Sequence, residues 1–150
     1  MNDGTLNFKI RDDQRSVFYT TVYVGSEKQP IKLAFDTMVT LSMINSFNCL
    51  GCRQTSLGKG YEYQKSYSIR KVSDQKIKFP IEGKTAKGVL VSDDIWVDKN
   101  DDSTKVKEFP FLLISEWDES DFYQTTQGVI GLSKTYYGPD GSSSGPSFLN

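Results

Sequence analysis

Apolar and polar residues along this chain alternate with a period of two far more often than with the 3.6 of a helix. Val17 to Val24 (VFYTTVYV) is β-branched or aromatic throughout, and a turn cluster, Gly25-Ser26-Glu27-Lys28-Gln29-Pro30, follows it. Ile31 to Phe35 then runs back, so residues 17–36 predict a hairpin whose second strand ends on an acid, Asp36. Further predicted strands are Leu6–Ile10, Met43–Ile44, Tyr67–Val72, Ile77–Ile81, Gly88–Val97 and Phe109–Ile114, with Gly128 to Leu132 (GVIGL) as a short buried one. Asp98 to Thr104 predicts a polar loop between two strands. No segment carries a helical apolar period of useful length, which limits helix to short pieces near Ser115–Phe122 and after Pro146. Many short strands at regular spacing predict an all-β sandwich or barrel. Ser147-Phe148-Leu149-Asn150 opens an apolar run after the Gly/Ser/Pro loop from Gly138 to Pro146, so the chain is expected to be a piece of something longer.

Composition narrows the chemistry. A chain of 150 residues has the size of one ordinary domain and can bury a real core; 37% of it is apolar and 25% charged. The net charge of −1, with no Lys/Arg cluster to offset it, predicts no nucleic-acid partner. No run approaches the ~18 apolar residues of a membrane span. No apolar stretch follows Met1-Asn2-Asp3-Gly4, so a signal peptide is not expected there. The choice left is a cytosolic protein or a mature form without its targeting and pro segments. The count of His is 0. Ser-His-Asp and Cys-His catalysis, His-ligated zinc and imidazole acid–base chemistry are therefore closed to this chain. Carboxylates, Lys, Tyr and the two Cys remain, and an enzyme built from this set most naturally uses carboxylates.

Each candidate group has a structural alternative. Cys49 and Cys52 form a Cys-x-x-Cys that could be a redox pair or half of a zinc site. Zinc needs two more soft ligands, and a redox pair normally sits in a βαβ setting. A local disulfide formed in an oxidising compartment is the favoured reading, and its short loop is worth on the order of 2 kcal/mol. Asp98, Asn100 and Asp102 imitate the start of a calcium loop, but Ser103 stands where that loop wants Gly and Phe109 where it wants Glu. A solvated hairpin tip is expected instead, and Asp118-Glu119-Ser120-Asp121 is expected to be a surface loop. Asp36 ends an apolar strand, so its backbone should be strand-bound and its carboxyl partly buried. An Asp at such a place either caps a turn through its own side chain or serves a site.

The order of neighbouring segments favours a site. Read together, they resemble the N-terminal lobe of a pepsin-like aspartic protease. Phe18-Tyr19-Thr20-Thr21-Val22-Tyr23-Val24-Gly25 is similar to that family's first hairpin strand, and Gln29 falls seven residues before Asp36 as the family's Gln falls before its catalytic Asp. Phe35-Asp36-Thr37 matches the start of the Phe-Asp-Thr-Gly motif, and Cys49 lies where the first disulfide Cys lies. Gly88-Val89-Leu90 with Asp93–Val97 resembles the segment after the flap. Phe109-Pro110-Phe111 and Gln127-Gly128-Val129-Ile130-Gly131-Leu132 resemble the strands that follow, and Pro146-Ser147-Phe148-Leu149 the start of the next helix. The collinear matches cover about residues 6 to 150.

The resemblance implies an all-β fold, a pepsin-like lobe built as a mostly antiparallel closed barrel with short helices. Residues 1–150 would be that N-terminal lobe, incomplete at its C-terminal end, with the C-terminal lobe absent. Asp36 is then one of two catalytic Asp residues, one per lobe, that share a proton because two carboxylates so close cannot both ionise. Thr37 would buttress the cleft floor through its hydroxyl. No other Asp-Thr or Asp-Ser ends an apolar strand in this segment, so the partner carboxylate must come from a C-terminal lobe or from a second copy of the chain. The implied reaction is peptide-bond hydrolysis without cofactor or metal, on a peptide or protein substrate, in a secreted, vacuolar or lysosome-like compartment. An alternative from another class is a non-catalytic pseudoprotease that binds peptides or partners in the same cleft.

Three departures from the family pattern bear on that choice. Met38 stands where the motif has Gly, a position where a tightly packed loop tolerates no Cβ. Val39 replaces the Ser that hydrogen-bonds the catalytic Asp, and Thr40, one place along, is the expected partial substitute. In the flap, Ile81-Glu82-Gly83-Lys84-Thr85 occupies the place of Tyr-Gly-Ser/Thr-Gly, with Ile81 or Glu82 at the Tyr position and Gly83 and Gly88 bracketing the tip. Ile81, Glu82, Gly83 and Lys84 are the expected flap and substrate-binding residues.

Overall fold

The computed structural model describes residues 6–12, 18–37, 39–52, 60–81, 84–117 and 126–133. They form eight strands: β1 (Arg11–Asp12), β2 (Phe18–Val24), β3 (Gln29–Asp36), β4 (Met43–Leu50), β5 (Arg70–Ile81), β6 (Lys84–Trp96), β7 (Lys105–Trp117) and β8 (Gly128–Gly131). The all-β expectation holds. All eight strands belong to one mixed sheet, in the order β1-β2-β3-β8-β4-β7-β6-β5. A further antiparallel pairing, Tyr23↔Trp96 and Val24↔Ile95, joins β2 to β6, so the ladders run from β2 through β3, β8, β4, β7 and β6 back to β2. Most pairs are antiparallel; β3–β8 and β4–β7 are parallel.

The period of two places the core. In β2, Thr20, Val22 and Val24 are buried while their neighbours are half-buried, and in β3 Ile31 and Leu33 take the same face. The register sets Val22 opposite Ile31 and Thr20 opposite Leu33, so two inward rows meet across the hairpin. Val22, Val24, Ile31 and Leu33 form one cluster with Ile44, Tyr61, Phe111 and Ile130. A second cluster gathers Val39, Leu41, Met43, Phe79, Ala86, Leu112, Trp117 and Val129 beneath the loop that follows Asp36. Each fully buried aliphatic or aromatic side chain contributes about 1.5–3 kcal/mol to keeping these layers together.

Three expectations need correction. Residues 6–10 form no strand, and the N-terminal pairing is confined to Arg11–Asp12 against Phe18–Tyr19. Of the expected Tyr67–Val72 strand only Arg70–Val72 is extended, and it joins Ile77–Ile81 in one strand, β5, whose ladder shifts register between Lys71 and Lys76. The helix expected near Ser115–Phe122 is contradicted over its first residues, since Ser115–Trp117 extend β7, with Glu116 and Trp117 paired to Lys87 and Ala86 and Ser115 at a register shift. Trp117 is buried there, and that packing outweighs the helix preference of the adjacent Glu and Ser. The rest of that segment and the residues after Pro146 lie outside the described residues. Helix-like turns occur instead at Tyr63–Lys65 and Asp102–Thr104, each a single 3-10 turn.

Candidate active site

β3 delivers Asp36 as its last residue, and β8 fixes where that end lies. The parallel ladder sets Ala34 opposite Val129, Phe35 opposite Ile130 and Asp36 opposite Gly131. Beyond the strands the chains stay stitched together. Leu132 N–H donates to the Asp36 carbonyl at 2.9 Å and Ser133 N–H to the Val39 carbonyl at 3.0 Å. Gly131 N–H donates to the Ser42 hydroxyl at 3.1 Å. A Cβ on Gly131 would collide with the Thr40 carbonyl, so glycine there is what lets the two backbones approach. Behind Asp36, Phe8 meets Phe35 edge-to-face with ring centroids 5.6 Å apart. The result is a half-buried Asp36 whose backbone is held against β8 and the residues after it.

The loop after Asp36 turns inward at once. Thr37 is exposed, whereas Val39, Thr40, Leu41 and Ser42 are all buried. Val39 and Leu41 belong to the second apolar cluster. Thr40 is 1% exposed and its hydroxyl has no hydrogen-bond partner, so it is not bonded to Asp36 here. Met38 lies outside the described residues.

The residues expected to form a flap fall at the β5–β6 hairpin. Ile81 and Lys84 are its last pair, flanking Glu82 and Gly83, which lie outside the described residues. Phe79 and Ala86, paired across the hairpin, pack in the same cluster as Val39 and Leu41. The flap end of the hairpin and the loop after Asp36 therefore share one apolar support.

Cys49 and Cys52 are joined in a disulfide, and both side chains lie against that second cluster. Gly51 between them has φ +77°, and a side chain there would strike the Trp117 carbonyl. The Asp98 loop is closed on itself: Asn100 N–H donates to Asp98 Oδ1 at 3.0 Å and Ser103 N–H to Asp101 Oδ1 at 2.9 Å. The Ser103 hydroxyl and then its amide hold the Asp101 carboxyl below the usual carboxylate range. Asp102 accepts from Trp96 Nε1 at 3.1 Å. Asp118, Glu119, Ser120 and Asp121 lie outside the described residues.

Sequence reasoning missed a second carboxylate. Asp93 on β6 is 1% exposed. Its Oδ2 accepts from the Tyr61 hydroxyl and from Ser66 Oγ at 2.8 Å. Its Oδ1 accepts from Ser68 Oγ at 2.6 Å and from Asp94 N–H at 2.8 Å. Burial, and then the hydrogen bond to Asp93, push the Tyr61 hydroxyl far above the ordinary tyrosine range, with Ser66 opposing. Gly25, at φ +81°, sits against this network, where a Cβ would collide with the Tyr61 hydroxyl. A signal was present: Asp93 takes the same strand parity as Val91 and Ile95, both core residues.

An all-β lobe with an Asp at the end of a strand and a β-hairpin packed on the same apolar cluster as the loop after it is consistent with an acid-protease lobe. The family comparison agrees: the model of the eukaryotic aspartyl protease family matches residues 17–146, and the chain belongs to that family. A comparison with curated proteins finds no match.

Proposed function

We propose that this chain is the N-terminal lobe of an aspartic endopeptidase and that Asp36 is one member of its catalytic pair. The observation that carries the reading is the placement of Asp36 at the end of β3, half-buried and braced by the residue 131–133 backbone. A second Asp, from a C-terminal lobe or a second copy of the chain, completes the site. The ionised member of the pair takes a proton from a water molecule that attacks the peptide carbonyl, and the protonated member donates to the carbonyl oxygen. Thr37, exposed beside Asp36, is free to face the partner lobe. Ile81, Glu82, Gly83 and Lys84 cover the substrate from the hairpin. No metal or cofactor is required. The Cys49–Cys52 disulfide supports a secreted, vacuolar or lysosome-like setting, because such bonds persist in oxidising compartments.

The test is cleavage of a denatured protein by the complete protein at about pH 3 to 5, where a shared-proton pair works, with and without a pepstatin-like inhibitor. Cleavage that survives Asp36→Asn unchanged sinks the assignment. A second reading, a pseudoprotease that binds peptides without cutting them, is favoured by one observation. Val39 sits at the family's donor position with a buried aliphatic side chain, and the neighbouring Thr40 hydroxyl does not reach Asp36. Peptide binding without turnover in the same assay selects it.

A further inference from the structure

β5 stands at the end of the strand order and, among the described residues, pairs only with β6. Its charge is lopsided for a chain of net charge −1: Arg70, Lys71, Lys76 and Lys78 against a single acid, Asp74. All four basic side chains are exposed, and none has an ion-pair partner among the described residues. Lys87, across the hairpin on β6, contrasts with them, since it meets Glu116 at 3.8 Å.

The register says which backbone groups are open. Pro80 is paired with Thr85 yet has no N–H to give, which suits a ladder position that exchanges no hydrogen bonds. By alternation, Lys78 and Lys76 also direct their N–H and C=O away from β6, while Ile77 and Phe79 bond to it. The shifted register before Lys76 and the proline at 80 bound this open stretch, so it is short. It also lies beside the site, because Phe79 packs in the cluster that carries Val39 and Leu41 of the loop after Asp36.

From this we infer that the open edge of β5 at Lys76 and Lys78 docks an extended peptide bearing carboxylates, and so biases the chain toward acidic polypeptides. The added chain bonds its backbone to the two outward dyads and its carboxylates meet the lysine ammonium groups. The inference depends on the protease reading only for calling that peptide a substrate; the docking itself does not.

The test is a binding measurement on the complete protein with two fluorescent peptides of equal length, one alternating Glu and Val and the other Lys and Val. The Glu peptide is expected to bind at least ~10-fold tighter at low salt and to lose that margin as salt rises. Lys76→Glu with Lys78→Glu should invert the preference, and the milder Lys76→Gln with Lys78→Gln should abolish it. Lys99→Glu with Lys107→Glu, on other elements, should leave it intact. N-methylation of the Glu peptide at alternate residues should weaken binding by a comparable factor, since it removes the donors of one edge. Equal binding of the two peptides overturns the inference. So does a double reversal that leaves the preference unchanged while the protein self-associates, because the lysines would then only guard the edge. Acidic-peptide binding without any cleavage leaves the docking standing and removes the protease reading. Cleavage with equal binding of the two peptides leaves the protease reading standing and removes the docking.

Discussion

Asp93 and Asp36 are both carried by strands of the same sheet, and they are held in different ways. Asp93 is buried, and its two oxygens accept four hydrogen bonds, two each, which is the full acceptor capacity of a carboxylate. It has no lone pair left for a substrate or a water. It instead ties β6 to the segment around Tyr61 and Ser66, which in turn holds the β2–β3 turn through Ser26 N–H and Ser66 Oγ at 3.1 Å. Asp36 is only half-buried, ends its strand, and has its backbone carbonyl held by Leu132 N–H at 2.9 Å, which positions the residue. Saturation marks Asp93 as a structural acid; Asp36, braced through its backbone at a strand end, is the one proposed to react.

The largest effect that separates the two acids is on turnover. Asp36→Asn in the complete protein is expected to lower kcat by on the order of 10⁴-fold or more while the melting temperature barely moves. Parallel kinetics and calorimetry check both halves of that statement. Asp93→Ala should do the opposite. Three hydroxyl donors lose their buried acceptor, and urea unfolding should show a loss of about 3–5 kcal/mol, with activity per folded molecule retained. If Asp93→Ala were neutral for stability, the contrast would collapse.

Smaller effects sharpen it. Reducing the Cys49–Cys52 bond removes a short loop constraint and should lower stability by about 2 kcal/mol, read as a shift in the urea midpoint with and without reductant. Tyr61→Phe removes one donor to Asp93 and should cost about 1–2 kcal/mol near neutrality. It also tests a pH dependence whose sign is set by the raised hydroxyl. In the unfolded chain Tyr61 ionises near pH ~10, whereas in the fold it stays neutral well above that. Its contribution is therefore complete below pH ~10 and is lost as pH rises beyond it, so the phenylalanine variant should show a flatter alkaline decline. The smallest effect belongs to the exposed loop. Ser103→Ala should return the Asp101 carboxyl toward its ordinary range, seen by NMR titration. Since Asp101 is depressed in the fold, what it adds is present above the unfolded carboxylate range and fades as pH falls through the folded value.

Much of the fold was legible along the chain where each strand buries one face. β2, β3, β6, β7 and β8 show themselves as apolar runs bounded by turn residues, and Asp36 is visible because it terminates such a run. Residues 6–10 read as a strand from their apolar residues, yet among the described residues no neighbour offers them a ladder. Ser115–Trp117 read as helical from local composition, and lost that to the pairing of Glu116 and Trp117 with Lys87 and Ala86. Asp93 was passed over because Ser92-Asp93-Asp94 looks like a polar patch, and its donors come from residues about thirty positions earlier.

The sequence by itself determined the strand-rich class, the β2–β3 hairpin, the absence of histidine chemistry and the acid at the end of β3. These are local facts, set by side-chain alternation, turn residues and composition. Tertiary structure alone decided that β8 inserts between β3 and β4 in parallel with β3, that Gly131 seats beneath the loop after Asp36, and that Asp93 is filled while Asp36 is braced. Those facts need partners from distant parts of the chain, and no local pattern records which distant donor will meet which acceptor until hydrophobic burial has brought the strands together.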